Sequence, residues 1–433
     1  MLRIKDEHTL EVLRGVVLAF FLRALGAGLA FAFNVAIGRL LGAEGTGLYF
    51  LALSVVTIGA VFAKLGLDNT LLRFIASGAA TNNANQVKGV FSLAMKLALT
   101  SCLALTLAVF IFAPLISLHI FNKPALVTTL RIMSAGLFTF AAMTLLAESL
   151  KGLKRIRNSM LVSGVIYPSV ALILIWPLTR LWGVQGAALA YVGGTATAAL
   201  IGYIFWKRNT KSFTAPSPSF DKSTLLDSSR PLWVMSVINK AIIPWLPLFL
   251  LGIWGSTQDA GIFGIATRIS LLISFFLTAV NTIMAPKFAE LYERKDMESL
   301  ARITRRFALL ITLAASPLFA LLIFKGEWVM SFFGPEFARG SLALSILAIG
   351  QAVKTATGSV GYLLIMTGHE RDVRNASIFS MILMSILALL VMPTYGLVGA
   401  AITSAVTLAC TNIYTLVLVR IRLGINALPI GRM

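Results

Sequence analysis

Acidic residues are the scarce class in this chain. Asp and Glu number 17 against 37 Lys and Arg, and charged residues of both signs make up 12% of 433 positions, about half of the roughly one quarter found in soluble domains. Histidine occurs three times, as His8, His119 and His369, far apart and without metal-ligand spacing, so no metal centre and no triad-type catalysis is expected. Cys102 and Cys410 both fall in apolar runs and read as small buried hydrophobes, with no disulfide pairing. No glycine-rich loop precedes a Lys and a Ser or Thr, which excludes ATP hydrolysis by a phosphate-loop mechanism. Neither cofactor nor catalytic residue is expected.

Apolar sequence fills the space these absences leave. Hydrophobic residues make up 58% of the chain, and mean hydropathy is +0.87. Runs of about 20 apolar residues, enough to cross 30 Å of hydrocarbon as a helix, follow one another, while the ten-residue alternating segments of a membrane barrel are missing. The fold class is therefore all-α and polytopic. The first run is too long for a signal-peptide core and is expected to remain as a membrane helix.

One long polar stretch, Lys207 to Arg230, interrupts the apolar chain, and matching motifs recur on either side of it. Gly45-Thr46-Gly47-Leu48-Tyr49 returns as Asp259-Ala260-Gly261-Ile262-Phe263 at an offset of 214. Arg157-Asn158 returns as Arg374-Asn375 at 217. Gly183-Val184-Gln185-Gly186 returns as Gly396-Leu397-Val398-Gly399 at 213. Three pairs in the same order argue for a duplication. The expected domains are a lobe over 1–206, a linker over 207–230 and a second lobe over 231–433.

Hydropathy places helices at about 11–39, 46–66, 87–118, 125–147, 159–181 and 183–206, then at 231–254, 260–285, 307–324, 341–366, 376–395 and 396–419. Twelve helices, six per half, make the two lobes parallel and related by a pseudo-two-fold axis along the membrane normal. A charged segment, Lys287 to Arg306, is expected to lie on the membrane surface. With the N-terminus inside, 25 Lys and Arg fall on inner segments and five on outer loops, with seven inside helices. That bias places both termini and the linker on the cytoplasmic side. It also explains the formal charge of +20 without nucleic acid.

The seven intrahelical cations are Arg23, Lys64, Lys96, Arg131, Lys240, Arg268 and Lys354. A charge at the bilayer centre costs about 2.5 kcal/mol or more, so a cavity or a ligand is the default explanation. At 1.5 Å per residue, Arg23 lies roughly 18 Å and Lys354 roughly 20 Å into their helices, with Lys96, Lys240 and Arg268 about 12 to 14 Å in. Lys64 and Arg131 stand near helix ends, where snorkelling accounts for them. Hardly any acid is at hand to pair with these cations, which suits an anion that comes and goes, such as a phosphorylated substrate. Asn34, Asn239, Asn281 and Gln351 could meet sugar hydroxyls or simply join helices by hydrogen bonds. Asp68 and Glu148 could carry a coupling proton or could be ordinary helix-end carboxylates.

Arg39-Leu40-Leu41-Gly42-Ala43-Glu44-Gly45-Thr46-Gly47-Leu48-Tyr49, followed by Leu65-Gly66-Leu67 and Leu72-Arg73-Phe74, resembles the Wzx-like polysaccharide (O-antigen) flippases of the multidrug/oligosaccharidyl-lipid/polysaccharide exporter superfamily. The resemblance implies a V-shaped pair of six-helix lobes with a cationic central cavity, in a bacterial inner membrane. It implies alternating-access transfer of a polyprenyl-pyrophosphate-linked oligosaccharide to the outer leaflet, with membrane lipids around the protein and glycan polymerase or chain-length machinery as pathway partners. On this reading Arg23, Lys240 and Lys354, with Lys96 and Arg268, hold the pyrophosphate and acidic sugars. Multidrug exporters of the superfamily typically use intramembrane acids, which are lacking here, and lipid II flippases usually carry two further helices. The alternatives are a cation-coupled drug exporter and, less in keeping with the short outer loops, a membrane enzyme of glycan polymerisation.

Overall fold

The computed structural model describes residues 7–213 and 220–427. The middle of the polar linker and the extreme termini, together with the His8 side chain, lie outside the described residues. Among the described residues every regular element is helical.

Three long helices contain a glycine bend. Helix α1, Glu7–Ala63, turns at Gly42 (φ 63°, ψ −176°). Its expected two spans are thus one helix with a break. Ala43 N–H, freed by the break, donates to Glu336 Oε2 at 2.9 Å, which satisfies an amide that would otherwise lack a partner. The same device joins the expected fifth and sixth spans and the expected eleventh and twelfth. Gly183 (φ 54°, ψ −129°) and Gly396 (φ 49°, ψ −121°) lie inside helices Tyr167–Asn209 and Glu370–Leu423. Matched in sequence at an offset of 213, they share one backbone geometry, in a region where a Cβ is costly. Among the described residues seven helices are long and apolar enough to cross a membrane, and three of them, of 44, 54 and 54 residues, are more than twice the roughly 20 residues of one crossing.

The chain divides into two compact units. Unit 1 comprises Met1–Leu41 and Leu51–Ala241, and unit 2 comprises Gly42–Phe50 and Ile242–Met433. In unit 1, α1 is followed by α2 (Leu67–Ala80), α3 (Ala84–Leu115), α4 (Leu126–Gly152), α5 (Ile156–Met160), α6 (Tyr167–Asn209) and α7 (Lys222–Ser236). Its core joins Leu67, Leu71 and Ile75 of α2 to Val90 and Ala94 of α3, Leu145 of α4, Trp206 of α6 and Leu225 of α7. Trp206 stacks on Phe91 with ring centroids 4.0 Å apart. Hydropathy alone starts the seventh helix at Pro231, but it begins at Lys222 because the Asp221 carboxylate accepts from Thr224 N–H at 2.7 Å and caps it.

Unit 2 contains α8 (Ile243–Trp254), α9 (Thr257–Ser270), α10 (Ile273–Glu293), α11 (Met297–Phe324), α12 (Gly326–Ser331), α13 (Ser341–Ala356), α14 (Val360–Met366) and α15 (Glu370–Leu423). Two expected spans are broken. The eighth is divided between α9 and α10, and the tenth is divided between α13 and α14 at Gly358 (φ 71°). The charged stretch from Lys287 to Arg306 forms no separate surface helix, because Asp296 caps α11 through Ser299 N–H at 3.0 Å and both sides belong to long helices. The repeat-matched Gly47 and Gly261 mark a close backbone crossing in this unit: a Cβ on Gly47 would sit 1.8 Å from Thr257 O, and one on Gly261 2.1 Å from Ala43 O.

Candidate functional site: a buried carboxylate between two lysines

The first half of the site grows from a tight turn. After α1 the chain passes through Leu65 (φ 54°) and Gly66 (φ 72°) before α2 begins. This reversal sets Lys64 against Asp68, with Nζ 3.4 Å from Oδ2. Lys64 Nζ also reaches Thr144 Oγ1 of α4 at 3.3 Å and stands 5.7 Å from the Phe140 ring centroid. Its side chain is only 5% exposed, as is that of Asp68. The expectation that Lys64 snorkels to the headgroups is therefore overturned: the turn folds its side chain into the unit, onto a carboxylate.

Lys240 completes the group from the other side. It lies in a π-helical stretch, Val237–Ile242, that continues α7, and wider helical turns of this kind recur at functional sites. Its Nζ is 2.8 Å from the same Asp68 Oδ2, yet its side chain is 46% exposed. Three contacts hold this stretch in register. Trp233 Nε1 donates to Phe62 O at 3.1 Å, Asn69 Nδ2 donates to Ser236 Oγ at 3.2 Å, and α7 backs onto Gly66, where a Cβ would lie 2.6 Å from Ser229 O and Trp233 N. The expectation that Lys240 lacks a resident counter-ion is corrected too, since the acid just past a helix end is folded back to meet it.

Two cations around one carboxylate leave a net charge of +1. Asp68 Oδ2 serves both ammonium groups, and Oδ1 accepts from Asn69 N–H at 3.0 Å. Asp68 lies in α2, outside the membrane-spanning helices. Burial pushes its carboxyl up, but Lys64 and Lys240 outweigh that and hold it at about 2. This setting is the reverse of what a proton carrier working near neutrality needs. Glu148 is half-buried and pairs with Lys151 at 3.4 Å.

Unit 2 treats its cations differently. Arg268 on α9 has its guanidinium 3.9 Å from the Phe50 ring centroid and 5.7 Å from that of Trp245, and donates to Gly264 O at 3.0 Å. Lys354 on α13 is half-buried. Its ammonium makes no hydrogen bond or ion pair among the described residues. In unit 1 the Arg23 and Lys96 side chains are exposed, and neither reaches the Asp68 group. Arg131, near its helix end, is exposed with its guanidinium 5.7 Å from the Phe110 ring.

Of the uncharged candidates, Asn34 Nδ2 donates to Ala30 O at 2.6 Å and Asn239 Nδ2 to Met235 O at 3.0 Å, each within its own helix. Gln351 accepts from the Ser274 hydroxyl and joins α13 to α10. The Oδ1 of Asn281 is buried with no hydrogen-bond partner among the described residues. No group of three or more His, Cys, Asp or Glu among them could hold a metal ion. Sequence reasoning passed over Lys64 as a site residue. The available signal was Lys64-Leu65-Gly66-Leu67-Asp68, a base and an acid four apart across a glycine turn.

Comparison with known proteins supplies the family. A family model described as polysaccharide biosynthesis protein matches residues 12–292. A Haloferax volcanii protein named "Probable low-salt glycan biosynthesis flippase Agl15" is 22% identical over 405 residues, covering 93% of this chain and 82% of that protein. Among solved structures, an inward-facing MATE family transporter of the MOP superfamily matches with a TM-score of 0.77 at 18% identity, over 94% of this chain and 98% of its own. The lipid II flippase MurJ in an inward closed conformation matches with a TM-score of 0.75 at 14% identity, over 93% and 87%. The two structures establish the fold, an all-helical architecture built on long apolar helices. The family model covers well over half of the sequence, and on that ground the chain belongs to the polysaccharide biosynthesis protein family.

Proposed function

We propose that this protein is a flippase that carries a polyprenyl-pyrophosphate-linked oligosaccharide from the inner to the outer leaflet by alternating access, for export of cell-surface polysaccharide. The observation that carries this reading is the nearly full-length match to a protein named a glycan biosynthesis flippase. The chemistry of the chain agrees with it. Each unit holds cations within or beside its apolar helices, and an anionic pyrophosphate is a suitable mobile partner for such charges. Arg23, Lys96 and Lys240 of unit 1 and Arg268 and Lys354 of unit 2 are the proposed contacts for phosphate and acidic sugars, with Asn281 as the uncharged contact best supported by its unsatisfied oxygen. The prenyl tail stays in lipid, so the protein need shelter only the polar head. Transfer between leaflets breaks no covalent bond, and the protein is proposed to act as a transporter and not as an enzyme.

The protein resides in a cytoplasmic membrane, bacterial or archaeal, with both termini inside, as the 25-to-5 distribution of Lys and Arg supports. A polymerase or chain-length factor that consumes the flipped glycan is its natural pathway partner. Deleting the gene tests the reading: lipid-linked oligosaccharide should accumulate on the cytoplasmic leaflet, protected from glycosidase added to spheroplasts. Unaltered leaflet distribution, with raised sensitivity to cationic drugs, would instead favour the drug-exporter alternative suggested by the MATE-like fold.

A further inference from the structure

We infer that Lys64, Asp68 and Lys240 form an exchangeable ion pair in which an anionic head group displaces Asp68 from Lys240 while Lys64 retains the released carboxylate. This rests on the flippase reading of the site and assigns a role to Lys64, which does not itself touch substrate.

The geometry points to it in three steps. Asp68 is nearly sealed, its side chain 5% exposed, and a buried carboxylate stripped of its counter-ion is strongly penalised. With Lys240 as its sole partner, Asp68 could not release it. Lys64, equally buried and 3.4 Å away, is the second partner that makes release affordable. Lys240 is the exchangeable member, because its side chain is 46% exposed and it engages Asp68 through a single contact of 2.8 Å. An ammonium has three donors, so two remain for a ligand even before the exchange. Lys64 is immobilised instead, by Thr144 Oγ1 at 3.3 Å and the Phe140 ring. The group's net charge of +1 favours an anion and repels a cation. A phosphate or pyrophosphate oxygen replaces Oδ2 on Lys240 without leaving any buried charge unpaired.

Removing Lys64 should therefore weaken anion binding as much as removing Lys240 does, and further removing Asp68 should restore it. Binding of a short-chain polyprenyl pyrophosphate, with the neutral polyprenol as control, is measured by titration calorimetry on the detergent-purified full chain. The variants are Lys240→Gln, Lys64→Met and Lys64→Met/Asp68→Asn, with melting temperature recorded for each. The double variant keeps no buried charge that could unfold it. Lys64→Met should bind the pyrophosphate about tenfold or more weakly, as close charge couplings of this kind require. The double variant should return to within about threefold of wild type, since Lys240 is then free. A merely structural role for Lys64 predicts no recovery, and a double variant as weak as Lys64→Met overturns the exchange while leaving the substrate reading intact. Wild type that binds pyrophosphate no better than polyprenol overturns the exchange and the anionic substrate reading together.

Discussion

Lys240 and Lys354 are both lysines well inside helical stretches, one in each unit, and their surroundings differ in kind. Lys240 is tied to a carboxylate that a second, buried lysine shares, whereas Lys354 is half-buried and its ammonium makes no hydrogen bond or ion pair among the described residues. Arg268, another candidate cation of unit 2, rests on aromatic faces and donates to a backbone carbonyl. Backbone features tell the opposite story, because Gly183 and Gly396 bend their helices through nearly the same angles. A duplicated scaffold can thus keep its glycines while its charge chemistry diverges. The close-packed turns constrain what the backbone can do, and the cations answer to their local partners.

The glycines at close backbone crossings are the costliest positions to fill in either unit. Gly261→Ala puts a Cβ 2.1 Å from a backbone oxygen in unit 2, and Gly66→Ala puts one 2.6 Å from two backbone atoms in unit 1. Gly66 also has φ 72°. Neither backbone can yield cheaply, so both variants should lose several kcal/mol, more than the roughly 1–3 typical of overpacking. The expected outcome is little or no monodisperse protein on size-exclusion chromatography in detergent, with Gly261→Ala the worse of the two.

Charge variants sharpen the contrast between the units. Asp68→Ala leaves Lys64 buried without its carboxylate and should destabilise unit 1 by about 3–5 kcal/mol, the usual cost of breaking a buried pair. Lys354→Met removes a cation whose ammonium has no partner to strand among the described residues and should change stability by less than about 1 kcal/mol. Thermal unfolding of the two variants side by side reads the difference. Arg268→Lys keeps the charge but loses the planar stacking on Phe50, and should cost about 0.5–2 kcal/mol on the same measurement.

The smallest effect concerns pH. The Asp68 carboxyl is held at about 2, below its unfolded value near ~3.9. A depressed carboxylate contributes stability in full above its unfolded pKa and loses it only as pH falls through the folded one. Between about pH 5 and 8 the difference in melting temperature between wild type and Asp68→Asn should therefore stay constant. A difference that shrank as the pH fell across that window would show Asp68 taking up protons, and would revive it as a coupling residue.

Much of the fold is legible in sequence because hydropathy and glycine act locally. The apolar runs, the repeat and the bends at Gly42, Gly183 and Gly396 all sit where pattern places a boundary, although the chain continues as helix through each bend. The break between α9 and α10 leaves no mark in hydropathy, since Leu271, Leu272 and Ile273 continue the apolar run across it, whereas the break at Gly358 falls in the polar stretch Lys354 to Ser359, through which the expected tenth span was drawn. The site was half legible. Charge and depth single out Lys240, Lys354 and Arg268, but depth measured along an ideal rod assumes where each helix begins, and the Asp221 cap moves the start of α7. The Lys240–Asp68 contact joins residues 172 positions apart, which no local pattern encodes. Lys64 was misread for a related reason: proximity to a helix end suggests snorkelling, and only the Leu65–Gly66 reversal turns its side chain inward.

Transport in proteoliposomes shows whether cations in both units handle an anionic lipid-linked glycan. Labelled polyprenyl-pyrophosphate oligosaccharide is placed in one leaflet, and its arrival in the other is followed for wild type, Arg23→Gln, Lys240→Gln and Lys354→Gln at matched protein content. Wild type should move the lipid, and Lys240→Gln and Lys354→Gln should each slow it by about tenfold or more, the kinetic equivalent of ~1.4 kcal/mol. Transport by all three variants at the wild-type rate would contradict the account and reduce these cations to structural residues.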